Sequence, residues 1–177
     1  MTNQSSGLPA DAGIKDASLT TPSGEPIGHP IDGVVVRPVV TRPDDRGEVA
    51  ELLRADWDEV RGSEMVHAYL ATLEPGVTKG WICHEGQEDR GVHLSGRLRW
   101  ALFDGRADSP TSGAVMDLTF TERNRNLLMI PRGVWHKVKN VGTTEACFVN
   151  LPTVMYDHSD PDKRRLPPDT DLIPSPF

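Results

Sequence analysis

Short β-type segments alternate with turn sequences along most of this chain, and this alternation limits the possible folds more than any other feature. The apolar runs after residue 64 are MVHAYLATL, VTKGWICH, VHL, RLRWALFD, AVMDLTF, LLMIP, VWHKVKNV and EACFVNLPTVMY. Segments containing Gly, Pro, Asn or Asp separate most of them. Repeated short strands with turn residues between them are typical of β-sandwiches and β-barrels. The sequence therefore predicts an all-β domain.

The two ends of the chain depart from this pattern. Residues 1–29 are rich in Ser, Gly, Pro and Asp and contain no Phe, Trp or Tyr. Such a segment has too little apolar surface to offset the entropy lost on ordering it. We predict a flexible N-terminal arm over residues 1–29 and one β-domain over residues 30–177. Within that domain, EVAELLRADW fits either a strand extension or a helical turn, and the proline-rich C-terminal segment is expected to cover the surface.

Composition excludes several classes of partner. The formal net charge of −7 disfavours nucleic acids and membrane surfaces, which are polyanionic. The sequence has no run of 18 apolar residues, and its N-terminus lacks the basic start and apolar centre of a secretory signal. We expect a cytoplasmic protein with no nucleic-acid or membrane partner. A small phosphorylated ligand stays possible, because it requires only a local cluster of cations.

A pair of histidine-containing motifs points to a particular β-fold. The segment after Leu128 has the spacing P-x-G-x-x-H-x-x-x-N, formed by Pro131, Gly133, His136 and Asn140. This spacing resembles the second motif of the cupin superfamily. The first cupin motif, G-x5-H-x-H-x3,4-E-x6-G, is matched in part by Ile82, His84, Asp89 and Gly96. The resemblance implies a cupin jelly roll, a double-stranded β-helix, in which His84 and His136 face each other.

Four segments also resemble, in the right order, the dTDP-4-dehydrorhamnose 3,5-epimerase family. DDRGEVAELLR is similar to the family's D-x-R-G-x-F-x-E, and DGRADSPTSG to its D-x-R-x-x-S-P-T-x-G. IPRGVWHKV is similar to I-P-x-G-x-x-H-G-F, and LPTVMYDHSDPDKR to a Thr…Tyr segment followed by an acidic loop. The resemblance covers residues 31–177. It implies a pocket for a nucleotide-linked sugar and a homodimer in which the N-terminal strand crosses to the partner sheet.

The resemblance also assigns roles in proton transfer. Family epimerases remove a proton beside a sugar ketone with a histidine base and return one with a tyrosine acid. In the corresponding register, Ile82 occupies the base position, Asn150 the acid position, and Asp104 the position of the aspartate that steadies the base. Isoleucine cannot accept a proton, and an amide is far too weak an acid. We therefore expect a rearranged catalytic group of His84, Asp104 and His136, and inefficient 3,5-epimerisation.

Substrate contacts are implied in the same way. Arg46 and Lys79 are expected at the diphosphate, since guanidinium and ammonium groups bind phosphate. The full set of expected binding residues is Arg46, Glu51, His67, Tyr69, Lys79, Trp81, Asn150 and Tyr156. Arg46 could instead be a turn residue paired with Asp44 or Asp45. The tryptophans Trp81, Trp100 and Trp135 could be core residues instead of an aromatic lining.

Three functions stay open from the sequence. The first is an isomerase of the epimerase family, favoured by analogy of fold. The second is a metal-dependent cupin, because His84, Asp89 and His136 would form a 2-His-1-carboxylate set suited to Fe(II) or Mn(II). The third is a non-catalytic or tailoring cupin that binds a small molecule. Because the epimerase relatives need no metal, no cofactor is expected.

Overall fold

The computed structural model describes residues 22–23, 31–60 and 65–177, and the regular structure in these residues is β-strand. The strands are β1 Val35–Pro38, β2 Thr41–Asp44, β3 Gly47–Ala50, β4 Tyr69–Leu73, β5 Thr78–Cys83, β6 Asp89–Ser95, β7 Arg97–Asp104, β8 Val115–Thr121, β9 Asn126–Ile130, β10 Val134–Asn140, β11 Ala146–Asn150 and β12 Arg164–Arg165. Each predicted run overlaps one of these strands, so the all-β prediction is confirmed. The predicted flexible arm lies, apart from residues 22–23, outside the described residues.

Two antiparallel five-stranded sheets make up the domain. The first sheet has the strand order β1-β9-β6-β11-β4, and the second sheet has the order β12-β5-β10-β7-β8. From β5 to β11 the chain passes back and forth between them, while β2 and β3 pair as a separate hairpin. This topology is that of the predicted jelly roll. Among the described residues, no helix has the length and apolar character needed to cross a membrane.

Strand β7 shows how residue alternation builds the core. Leu98, Trp100 and Leu102 alternate along the strand, are at most 5% exposed, and belong to one cluster with residues of both sheets. Trp100 packs edge to face on Phe148 of β11, with ring centroids 5.1 Å apart. Truncating a buried aromatic residue of this kind costs about 3–5 kcal/mol. The alternation of these three residues in the sequence therefore builds the core, and their packing fixes the spacing of the two sheets.

Irregular segments cover the other faces of the sheets. The segment after β3 contains turns instead of a helix, and its side chains Leu52, Leu53 and Trp57 pack against Val92 and Leu127 of the first sheet. The ambiguity in EVAELLRADW is thereby resolved: the strand ends at Ala50.

The C-terminal segment covers the second sheet, as predicted. Its apolar residues Leu166, Ile173 and Phe177 pack in one cluster with Trp81 and Ala101. Burial of apolar surface on this face holds the segment close to β5, where it can contribute to the interior of the domain.

Candidate functional site

The two sheets enclose a cavity of about 460 Å³, a size that suits a small organic ligand. Strands of both sheets line it, and Lys163 and Arg165, beside and within β12, complete one wall. The polar and charged residues of its lining are Tyr69, Thr78, Lys79, His84, Asp89, His136, Lys137, Asn150, Lys163 and Arg165.

Two buried histidines meet in this cavity. His84 directly follows β5, and His136 lies in β10 opposite Ile82. Their ring centroids are 5.8 Å apart and the ring planes differ by 29°. Gly133 ties the two segments together, because its N–H donates to the His84 carbonyl at 2.8 Å. Its φ of 77° favours glycine, and a Cβ there would lie 2.6 Å from Arg106 Cγ. The expectation that the histidines face each other agrees with this geometry.

Asp89 lies between the two imidazoles. Its Oδ2 atom is 3.4 Å from Nε2 of His84 and 3.4 Å from Nε2 of His136, while the Gln87 amide donates to Oδ1 at 2.9 Å. Burial raises the pKa of Asp89, but the hydrogen bonds to His136 and His84 outweigh it and hold that pKa well below its usual value. An ionised carboxylate in this position stabilises an imidazolium, so the cluster can take up and release a proton.

The proton arrangement of His84 is set by the C-terminal segment. Its Nδ1 contacts the backbone carbonyl of Asp162. Because a carbonyl only accepts, Nδ1 carries a proton and Nε2 is the nitrogen that gains or loses one. Burial lowers the pKa of His84, but the hydrogen bond and charge of Asp89 outweigh it, so the pKa lies above its usual value.

Asp162 is itself held firmly. Its carboxylate accepts hydrogen bonds of 2.7 to 2.9 Å from the backbone N–H groups of Glu85, Gly86 and Gln87. One residue therefore fixes both the loop after His84 and the imidazole of His84.

Asn150 and Tyr69 form a second polar pair in the cavity wall. The two residues lie opposite each other on neighbouring strands, and Nδ2 of Asn150 donates to the Tyr69 hydroxyl at 2.8 Å. The Asn150 side chain also accepts the backbone N–H of Arg90 at 3.0 Å. Both predicted binding residues therefore line the cavity.

Three cationic side chains reach the cavity from β5 and the C-terminal segment. Lys79, predicted from the sequence, is joined by Lys163 and Arg165, which were not predicted. Burial, with the nearby charge of Arg165, lowers the pKa of Lys163; Asp89 opposes this effect and Lys79 adds to it. The signal that could have identified them is the basic run KRR within an acidic C-terminal segment.

Asp104 does not lie beside the cavity residues, contrary to its predicted role next to the base. It is fully buried at the end of β7 but is not part of the cavity lining. Its carboxylate accepts hydrogen bonds from Arg106 Nε at 2.8 Å, from the Ser109 hydroxyl at 2.5 Å and from the Thr111 hydroxyl at 2.7 Å. These bonds close the turn between β7 and β8. The expectation from the family register is corrected because local partners occupy both carboxylate oxygens.

Two further predicted contacts lie outside the cavity of their own chain. Arg46 is at the tip of the β2–β3 hairpin with its side chain 84% exposed, and it pairs with Asp44. This is the turn arrangement that the sequence left open. Glu51 is exposed and pairs with Arg54 at 2.6 Å.

The remaining predicted residues divide between core and cavity edge. Trp81 is fully buried on the outer side of the second sheet, Trp135 packs against the same cluster, and Trp100 is the tryptophan that lines the cavity. His67 and Tyr156 line a recess of about 400 Å³ that shares residues with the main cavity. The aromatic lining proposed for Trp81 is therefore corrected.

Comparison with known proteins agrees with this description. The family model described as dTDP-4-dehydrorhamnose 3,5-epimerase matches residues 29–167. A probable low-salt glycan biosynthesis epimerase from Haloferax volcanii is 39% identical over 140 residues, which are 78% of this chain and 89% of the relative. The spore coat polysaccharide biosynthesis protein SpsL from Bacillus subtilis is 35% identical over 143 residues, 81% of this chain and 93% of the relative.

Solved structures show the same fold. A dTDP sugar isomerase from Desulfovibrio desulfuricans superposes with a TM-score of 0.75 and 27% identity, covering 82% of this chain and 90% of that chain. ChmJ, a 3'-monoepimerase from Streptomyces bikiniensis solved in complex with dTDP-quinovose, gives a TM-score of 0.70 at 20% identity, covering 80% and 73%.

Proposed function

This chain belongs to the dTDP-4-dehydrorhamnose 3,5-epimerase family, and we propose that it is an isomerase that moves a proton beside the ketone of a nucleotide-linked keto-deoxysugar. One observation carries the proposal. His84 places a nitrogen of raised pKa in the cavity beside the ionised Asp89. In the family register the base position itself is occupied by Ile82, which also lines the cavity.

In this proposal His84 is the base. Its Nδ1 is occupied by Asp162, so Nε2 takes the proton from carbon, and Asp89 stabilises the imidazolium that results. His136 contacts the same carboxylate oxygen of Asp89. A general base of pKa close to the working pH contributes typically 10²- to 10⁴-fold to the rate.

The shifted base changes which carbon is attacked. Residues two apart in a strand have Cα atoms roughly 6.5–7 Å apart, so a base at His84 approaches the sugar ring at a different place from a base at Ile82. Asn150 also cannot act as an acid. We therefore propose a single proton-transfer site and inefficient 3,5-epimerisation.

The cations of the cavity support an anionic substrate. Lys79, Lys163 and Arg165 lie together in a chain whose net charge is −7, and such local clusters favour diphosphate groups. The names of two relatives refer to glycan and polysaccharide biosynthesis, and a structural neighbour holds dTDP-quinovose. A nucleotide-linked sugar contains both the diphosphate that these cations favour and the sugar that the names of the relatives indicate.

We also propose a homodimer. Strand β1 is at an edge of the first sheet; Val36 within it is 38% exposed, and Val40 just after it is 58% exposed. An exposed edge of this kind is suited to pairing with a second chain. Arg46 is exposed in its own chain. In that assembly it would reach the diphosphate in the partner's cavity. Sedimentation that shows a monomer at micromolar concentration would exclude this arrangement.

The function is tested by incubating the protein with dTDP-4-keto-6-deoxyglucose in D₂O and following C3 and C5 by NMR. We expect deuterium to enter at one carbon, and His84→Asn to slow that exchange 10²- to 10⁴-fold. Rapid exchange at both carbons would overturn the single-site proposal. Absence of exchange, with binding of dTDP retained, would favour a non-catalytic binding protein.

Binding has its own matched test. Lys163→Ala should weaken dTDP binding, seen as a smaller rise in melting temperature with saturating dTDP. Lys139→Ala removes a lysine of β10 that does not line the cavity, and it should leave that rise unchanged. Equal effects of the two substitutions would argue against a phosphate role for Lys163.

A divalent metal is the second candidate, because His84, Asp89 and His136 place three ligand atoms within 4.8 Å of one another. Two imidazoles and a carboxylate fit Fe(II) or Mn(II). A bound ion would supply Lewis-acid polarisation of the ketone. Elemental analysis and chelation separate the two roles: an exchange rate that survives EDTA supports proton transfer by His84, and a rate restored only by added Mn(II) supports the metal.

A further inference from the structure

The Tyr69 hydroxyl is positioned by a side chain of the neighbouring strand. Tyr69 begins β4 and Asn150 ends β11, and the two are direct cross-strand partners. Nδ2 of Asn150 lies 2.8 Å from the tyrosine oxygen. Asn150 is 2% exposed, whereas the Tyr69 ring is 41% exposed at the edge of the sheet and still lines the cavity.

The direction of this hydrogen bond follows from a second one. Oδ1 of Asn150 accepts the backbone N–H of Arg90 at 3.0 Å, which fixes the amide with its nitrogen toward Tyr69. The nitrogen can only donate, so the phenol oxygen accepts. The proton of the phenol is therefore not used by Asn150 and is available to a ligand in the cavity.

Tyr69 faces the histidine cluster from the opposite sheet. Tyr69, Asn150 and Gly91 form one row across the first sheet, and Asp89 lies two residues from Gly91 on the same strand. His84 follows β5 of the second sheet. Burial and the charge of Asp89 raise the pKa of Tyr69 against the effect of Asn150, so the phenol is protonated at neutral pH.

We propose that Tyr69 is the general acid of this site, delivering a proton to the sugar carbon on the face opposite the one from which His84 removes it. This inference rests on the proposed isomerase function. The C–H bond breaks and its electron pair enters the enolate, while a proton joins Nε2 of His84. The enolate carbon then takes the phenol proton, which leaves a phenolate that accepts the Asn150 hydrogen bond. Solvent reprotonates Tyr69 and removes the proton from His84, so the cycle is balanced.

A structural role and an acid role of Tyr69 differ in the product formed. Tyr69→Phe keeps the ring and removes only the oxygen. With dTDP-4-keto-6-deoxyglucose in D₂O, the variant should still exchange deuterium, because His84 can return a solvent-derived proton to the face from which it took one. Inversion should fall 10²- to 10⁴-fold. The ratio of inversion to exchange, measured by NMR, is therefore the readout, and general loosening of the site would lower both rates together.

Tyr156 is the other tyrosine of the chain and serves as the rival acid. Inversion lost in Tyr156→Phe but kept in Tyr69→Phe would overturn the assignment, as would an unchanged inversion-to-exchange ratio in Tyr69→Phe. A wild-type protein with neither exchange nor inversion would overturn the proposed function and the acid role with it. Wild-type inversion with an unaffected Tyr69→Phe variant would overturn only the acid role.

Discussion

The two buried carboxylates Asp89 and Asp104 differ in the kind of partner that each of them contacts. Asp89 and Asp104 are 8% and 0% exposed, and neighbours hold the pKa of each below its usual value. The partners of Asp89 are two imidazoles and an amide, whereas those of Asp104 are the guanidinium of Arg106 and two hydroxyls. An imidazole exchanges protons near neutral pH and a guanidinium does not. A buried, ionised carboxylate therefore indicates proton chemistry only when its partners can also titrate.

The two clusters also differ in how the chain assembles them. The partners of Asp104 lie two, five and seven residues further along, so one turn contains the whole network. Asp89 begins β6 in the first sheet and meets histidines attached to β5 and β10 in the second. A local network stabilises a turn by itself, whereas the Asp89 cluster exists only when both sheets are in place.

The largest expected effect is on catalysis by Asp89→Asn. The amide cannot stabilise the imidazolium of His84 as a carboxylate does, so deuterium exchange into dTDP-4-keto-6-deoxyglucose should slow 10²- to 10⁴-fold. Asp104→Asn is the matched control and should keep its exchange rate per folded molecule. Equal losses in both variants, after correction for the folded fraction, would remove the distinction between the two carboxylates.

Stability should show the reverse order. Asp104→Asn leaves Arg106 and two hydroxyls without their ionised partner, and breaking a buried charge pair costs about 3 kcal/mol or more, roughly 10²-fold in the folding equilibrium. Urea unfolding followed by tryptophan fluorescence measures this difference. A change in the free energy of unfolding below about 0.5 kcal/mol would show that the turn does not depend on Asp104.

The pH dependence of stability should separate the clusters further. The folded pKa of His84 is raised, so its contribution is fully present below about pH 6.5 and is lost as pH rises through the folded pKa. The folded pKa of Asp104 is lowered mainly by its hydrogen bond from Arg106, so its contribution is present above about pH 3.9 and is lost as pH falls.

His84→Gln should therefore flatten the alkaline side of a plot of unfolding free energy against pH. Asp104→Asn should leave the alkaline side unchanged and reduce the acid slope, to which Asp89 still contributes. Urea titrations between pH 3 and pH 9 give both slopes. A wild-type alkaline slope that persists in His84→Gln would assign that slope to another group.

The smallest effect on stability is expected at an exposed ion pair. Arg46 and Asp44 form an ion pair on the hairpin surface, and such pairs contribute about 0–1 kcal/mol. Arg46→Ala should therefore barely change the free energy of unfolding, while dTDP binding should weaken about tenfold if Arg46 reaches the partner's cavity. Calorimetric titration measures the affinity, and an unchanged affinity would confine Arg46 to the turn.

Much of the fold was readable from the sequence because its signals are periodic. The alternation of Leu98, Trp100 and Leu102 and the motif spacing around His136 both correspond to observed positions. The strand position of Asp89 could not be predicted, because nothing in the local sequence shows that β6 begins there and pairs with β9. Asp104 was misplaced because a register taken from relatives carries no information on local hydrogen bonds. Lys163 and Arg165 were missed because the segment that carries them folds back without any periodic pattern.

The Asp162 carbonyl connects the proposed phosphate-binding residues with the imidazole of the proposed base, His84. The carbonyl that keeps the proton on Nδ1 of His84 belongs to the residue immediately before Lys163, and Arg165 follows two residues later. Under the proposed function, a phosphate group bound by these cations would contact the same four residues of backbone that decide which nitrogen of His84 is free. Ligand binding and the tautomer of His84, 78 positions upstream of Asp162, would then be coupled through one short peptide. A substitution in that peptide should therefore change both properties together.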